Sequence, residues 1–296
     1  MKGNKMDKYY VPNATKIYHD QEKNLKIDKV RNLQAIGRKS RSMKLKFNPR
    51  VKKIQKVGGV QVWLVDGSMI RKHFDVDFTS GGHGYRYLYV PIGEIWIDNA
   101  LNAEDIRPTV WHEFVERHLM QRGWGYNDGH DYAARVEIGI RRGIEFVLPV
   151  VNIDQSRNDF CGAAALKMAL EYWGEDLSEK EIVKLANTRV GVGTDPKDMV
   201  STSKKLGFKV EWREGWTPNQ VKKTLEKGRP IIVNFQETHK LGEGHYNLII
   251  GYTQDEFIFS NPSGGKDFRR EKIAHFMKRW YELEDKTKQE GIVIYK

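Results

Sequence analysis

The segment Gln155–Gly174, QSRNDFCGAAALKMALEYWG, decides how the second half of the chain is read. It holds the only cysteine in 296 residues, followed directly by Gly162 and three alanines. The run after Cys161 combines small residues with strong helix formers and predicts a helix from Cys161 to Trp173. Two readings of the thiol are open at this point. A free cysteine is commonly a small buried apolar residue. At the first turn of a helix, however, the dipole and the free N–H groups favour a thiolate. Only a partner elsewhere in the chain decides between them.

A nucleophilic thiol needs a base, a residue that orients the base, and donors for the oxyanion. The stretch GEGHYNLIIGY puts His245 at the mouth of an alternating strand, and FIFSNPS follows after a turn around Thr253. Positions 245 and 261 are about equidistant from that turn and share parity, so His245 and Asn261 are expected as cross-strand neighbours on one face. The Asn261 amide oxygen could then accept the imidazole N–H and leave the other ring nitrogen for Cys161. Gln155, six residues before the cysteine, is close enough to join the Cys161 N–H in an oxyanion hole. Taken singly, His245 reads as a satisfied or surface histidine and Asn261, before Pro262, as a turn residue.

On these residues, about 147–296 resemble the papain-like cysteine peptidases of the bacteriocin-processing, double-glycine-leader family. The matching stretches are Gln155 with FCGAAALKMALEYWG, GVGTDPKDMVSTSKKLGFKV, LEKGRPIIVNF, GHYNLIIGY and FSNPSGG. The resemblance implies an α+β peptidase fold, with Cys161 as nucleophile, His245 as base, Asn261 as orienter and Gln155 as oxyanion donor. It also implies hydrolysis of peptide bonds through a thioester, with no cofactor for the thiol chemistry. Two positions depart from the family pattern: Phe160 and Asn261 stand where its members usually have Asp. Papain-like peptidases also use Asn in the second place, and the first departure leaves substrate preference open. No exporter membrane domain accompanies the segment, so leader processing does not follow.

Upstream, residues 58–146 read as a smaller α+β domain. VQVWLVDG, YRYLYVP and EIWID are strand-like. A helix is predicted from about Arg107 to Arg122, with Pro108 near its first turn and Gly123 stopping it. A second runs from a cap at Asn127 or Asp128 to Gly143. His112 and Glu116 share a face of the first helix, His130 and Glu137 a face of the second. Antiparallel pairing could bring two imidazoles and two carboxylates together, a set that suits zinc, manganese or iron. Glu113 stands where an HExxH metalloprotease has its base, but Glu116 occupies the second histidine's place. His83 and Glu94 could add ligands from the sheet. The plainer reading is a salt-bridged surface, Glu113 to Arg117 and Glu137 to Arg141.

The net charge is +11, and residues 1–57, with 17 Lys or Arg against four Asp or Glu, carry the whole positive balance. That segment has poor apolar periodicity and is expected to be a basic, partly disordered arm. It could bind nucleic acid, or pack on acidic surface of its own protein. No apolar run long enough for a membrane span and no secretory signal is present, and a single cysteine excludes an internal disulfide. The cytoplasm is the expected location. The leading expectation is a cysteine peptidase acting on a peptide or protein. The alternatives are a nucleic-acid-associated binding protein with an inactive papain-like scaffold, or a metal-dependent hydrolase centred on residues 112–137.

Overall fold

The computed structural model describes residues 47–87, 89–236, 244–263, 268–283 and 286–296. The chain forms two compact units that part between Arg141 and Arg142.

The first unit begins with strands β1 (Arg50–Val57) and β2 (Val60–Val65), joined by Gly58 and Gly59, both at positive φ. Two left-handed residues in a two-residue loop suit the twist of an antiparallel hairpin, and glycine adopts them without strain. Residues 50–57, expected to close the basic arm, are thus a paired strand. Arg50 bonds Glu94 and lies over Trp63 and Trp96, and Lys53 lies over Trp63. Residues 1–46 of the expected arm lie outside the described residues, and with them most of the nucleic-acid expectation.

Helix α1 (Gly67–His73), strand β3 (Gly81–His83) and strand β4 (Glu94–Asp98) complete the sheet, in the order β1-β2-β4-β3, with β2 and β4 parallel. Tyr85–Pro91 was expected as a strand. Its described residues form turns, a bend and irregular chain, because Tyr89 and Val90 join Val65, Ile70, Phe78 and Trp96 in the core instead of alternating across a ladder. Helix α2 (Ala103–Gln121) starts one turn earlier than expected, so Pro108 lies inside it. Helix α3 (Tyr126–Arg141) likewise starts ahead of the expected caps. The two helices pack against each other.

The second unit is built on a sheet whose pairings are all antiparallel. Its strands are β5 (Glu145–Val147), β6 (Lys209–Arg213), β7 (Ile231–Gln236), β8 (Gly244–Thr253), β9 (Glu256–Ser260), β10 (Arg269–Lys272) and β11 (Gly291–Tyr295). They run β10-β9-β8-β7-β11-β6, with β5 on β8 beyond the end of β7. The helices are α4 (Cys161–Tyr172), α5 (Glu179–Leu185), α6 (Pro196–Lys205), α7 (Pro218–Leu225) and α8 (Ile273–Arg279). The α+β class expected from the sequence is the one observed.

Helix α4 is apolar nearly all round because it is covered on more than one side: β7 and β8 pack against it, and so do α5 and α6. Ala163, Ala164 and Ala165 are fully buried and let the backbones approach closely. Gly162 must stay small, since a Cβ there would stand 2.9 Å from Thr194 Cβ. The far end of α4 is bound by Tyr172 Oη to the Gly228 carbonyl (3.0 Å) and Trp173 Nε1 to the Ile294 carbonyl (2.7 Å). Ser178 and Glu181 form both bonds of the capping box that starts α5.

Candidate functional site

Cys161 is the first residue of α4 and is buried. Phe160, at the N-cap, makes no side-chain cap bond, so the first N–H groups of the helix remain free of a capping side chain. The sulfur is instead served by backbone N–H groups: its own, that of Gly162, and that of Tyr246 from β8. Tyr246 directly follows His245, so the start of the helix meets the start of the strand. Burial pushes the thiol above its ordinary value, and these backbone donors oppose that without outweighing it. The lowered pKa that a helix N-terminus alone suggests is therefore not found, because the desolvation of a buried anion is the larger effect.

His245 Nε2 lies 3.0 Å from Asn261 Oδ1. Both belong to the β8–β9 hairpin, but its register differs from the symmetrical one expected. Leu248 faces Ser260 and Ile249 faces Phe259, then the ladder slips before Gly251 opposite Ile258. Continuing the first register, Asn247 faces Asn261, and His245 is its diagonal neighbour on the same face. Diagonal pairs remain within reach of long side chains, which is why the contact survives the shift. Asn261 Oδ1 also accepts the Ser263 N–H at 3.1 Å, so the residue shapes the turn and holds the imidazole together. Asn152 Nδ2 donates to the Asn261 carbonyl at 3.2 Å.

Gln155 is tied to this turn. Its N–H donates to the Pro262 carbonyl (2.8 Å), and its Oε1 accepts from Ser263 Oγ (3.0 Å). The amide oxygen being held, Nε2 is the end left to a ligand. Beside Cys161 opens a polar pocket of about 390 Å³, lined among others by Asp159, Arg189, Asn234, Gly244, Tyr246 and Glu282. All four residues expected in the thiol site thus belong to one neighbourhood of the second unit. The Tyr246 N–H on the sulfur had no signal in the sequence, since every backbone offers one.

In the first unit, α2 and α3 bring the other expected cluster together. Glu116 Oε2 is 2.8 Å from His130 Nδ1 and 3.5 Å from His112 Nε2, and the two nitrogens are 3.1 Å apart. Glu137 does not face that point: its Oε2 lies 2.7 Å from the opposite nitrogen of His112, Nδ1. Glu116 Oε1 is 2.9 Å from His83 Nε2, on β3. Burial would lower His112, but Glu116 and Glu137 outweigh it and raise the imidazole to about 10. Burial dominates at His83, which is lowered, and at Glu113, raised to about 8 by burial and by the charge of Glu116.

Two further expectations are corrected. Glu94 does not turn to this cluster; its Oε2 accepts from Arg50 Nε and Trp96 Nε1. Arg117 does not pair with Glu113 but donates to the Ile92 carbonyl and to Gln121, whereas the Glu137–Arg141 pair is present at 2.8 Å.

The second unit is thus an α+β unit with a cysteine opening a buried helix and a His–Asn pair on the β8–β9 hairpin. Residues 147–288 match the model of the Peptidase_C39 like family. Among solved structures, the chain is similar to the peptidase domain of Streptococcus ComA, a bi-functional ABC transporter involved in quorum sensing. That pair shares 20% identity, covers 49% of this chain and 98% of that one, and has a TM-score of 0.39. A double glycine motif protease from an AMS/PCAT transporter, in complex with the leader peptide, shares 15% over 50% and 93%, TM-score 0.41. A C39-like peptidase from Bacillus anthracis shares 17% over 51% and 97%, TM-score 0.42. Comparison with curated proteins returns no match. Among the described residues, no helix is long and apolar enough to cross a membrane.

Proposed function

We propose that the second unit is a cysteine peptidase in which Cys161 attacks a peptide carbonyl. One observation carries the reading: His245 Nε2 lies 3.0 Å from Asn261 Oδ1, and the next residue, Tyr246, turns its backbone N–H to the Cys161 sulfur, so the oriented imidazole and the thiol belong to one corner of the unit. The match of residues 147–288 to a peptidase family supports it.

In this reading the proton rests on sulfur before attack, because burial pushes the thiol up. His245 takes that proton as the S–C bond forms. The carbonyl oxygen becomes an oxyanion between the Cys161 N–H and the Gln155 amide nitrogen. The imidazolium returns the proton to the leaving amine as the C–N bond breaks. Water, deprotonated by the same imidazole, then hydrolyses the thioester and frees the thiol. Substrate side chains would lie in the pocket between Asp159, Arg189 and Glu282, whose polarity favours polar or charged residues next to the scissile bond.

The test is turnover of an unbiased fluorogenic peptide library. Cys161→Ala should reduce cleavage to background with little change in melting temperature, and His245→Ala should lower the rate about 10²–10⁴-fold. Asn261→Asp, which retains an acceptor, should stay well above Asn261→Ala. Full cleavage by Cys161→Ala would sink the proposal.

A further inference from the structure

The cluster of His112, Glu116 and His130 has no part in the thiol chemistry, and its proton arrangement points to an occupant. The Tyr85 N–H donates to His83 Nδ1 at 3.2 Å. That nitrogen is therefore the acceptor, and the His83 proton sits on Nε2, donating to Glu116 Oε1. Both nitrogens of His83 are engaged, which leaves it a support for Glu116 and not a ligand. Glu137 Oε2 in turn lies 2.7 Å from Nδ1 of His112, an ion-pair contact on the far side of that ring. What remains unclaimed by these supports is His112 Nε2, His130 Nδ1 and Glu116 Oε2, and those three atoms converge.

We propose that this point binds one divalent first-row transition ion through His112 Nε2, His130 Nδ1 and Glu116 Oε2. Donors held by one ion at about 2.0–2.2 Å lie about 3–3.5 Å from one another. The observed separations, 3.1, 2.8 and 3.5 Å, fall around that range. Two of the three ligands also have outer partners of the kind metal sites use: Glu137 lies 2.7 Å behind His112 as an ion-pair partner, and His83 bonds the other oxygen of Glu116. A second grouping, His83 with Glu113 and Glu116, shares Glu116 but lacks a free nitrogen, so the site is mononuclear. Three protein ligands leave an open position for water, as in catalytic and not structural zinc sites. The His130 side chain is 44% exposed, so the ion has a route in. Two imidazoles and one carboxylate suit zinc and iron(II) alike.

The full-length protein, stripped with a chelator, is titrated with Co²⁺ and followed by its visible d–d absorption, and protein reconstituted with zinc or, anaerobically, with iron(II) is assayed for bound metal. One equivalent should bind, and zinc, which such nitrogen and oxygen ligands hold more tightly than cobalt, should displace it. His130→Ala should weaken binding at least 10²-fold, and Glu137→Gln about 10–100-fold. His275→Ala, which removes an exposed histidine of the other unit, should change nothing. Circular dichroism of each stripped variant confirms that it is folded, and the milder Glu137→Gln keeps the test alive where His130→Ala is not. Absence of saturable one-to-one binding, or affinity unchanged in folded His130→Ala or Glu137→Gln, would overturn the site.

Discussion

At the scale of residues, the environment of Cys161 sets opposing demands. A helix N-terminus and three backbone N–H groups stabilise a thiolate, while burial destabilises it, and burial is the larger effect. The consequence is measurable with a small thiol electrophile across pH. Labelling of the folded protein should titrate with a midpoint above the free-thiol value of about 8.5, and a midpoint well below it would mean that an ion pair exists at rest. The sign for stability follows from linkage. A thiol whose folded pKa is raised binds more protons folded than unfolded once pH exceeds the unfolded value, so stability falls there. Relative to Cys161→Ala, the wild type should lose stability as pH rises through about 8.5, and denaturant midpoints across that window check it.

At the scale of elements, the β8–β9 hairpin carries half the thiol site, and its geometry depends on a slip in the ladder between Ile249 and Gly251. Gly251 is also where β5 crosses. A Cβ there would overlap the Phe146 carbonyl oxygen and stand 3.0 Å from Val147 Cα, both backbone atoms. Gly251→Ala should therefore cost about 1–3 kcal/mol, read by urea denaturation, because neither strand can yield without breaking hydrogen bonds. The hairpin itself was legible in the alternation of YNLIIGY and FIFSN, and so was the shared parity of His245 and Asn261. The slip was not. Register is a property of the pair of strands and of what covers them, and no local pattern in either strand encodes an extra residue. The same distinction separates α5, whose Ser178–Glu181 capping box is a local bond, from β6, β10, β11 and α8, which were missed because long-range pairing and packing define them.

For the whole molecule, two sheets with separate cores close in one chain, the first around Trp96, Phe78 and Ile70, the second around α4 and its sheet. Domains with their own cores unfold as their own units. Calorimetry should resolve two transitions, and zinc or cobalt should raise one of them selectively, because an ion bound only to the folded first unit stabilises that unit by mass action. A single transition shifted as a block would contradict this. Charge at this scale is concentrated in residues 1–57, yet Arg50 and Lys53 are spent on Glu94 and on Trp63 and Trp96 within the first unit.

The sequence by itself determined the helix that starts at Cys161, the hairpin of YNLIIGY and FIFSN, the common face of His245 and Asn261, and the common face of His112 and Glu116. Each depends on propensity, capping or a period of two or 3.6 residues, which act over a few neighbours. Only the tertiary structure decided that Tyr246 offers its N–H to the sulfur and that burial pushes the thiol up. It alone decided that Glu137 stands behind His112, that His83 stands behind Glu116, and that β11 inserts between β6 and β7. Those outcomes rest on desolvation and on contacts between residues far apart in the chain, and both come into being only when the core closes around them.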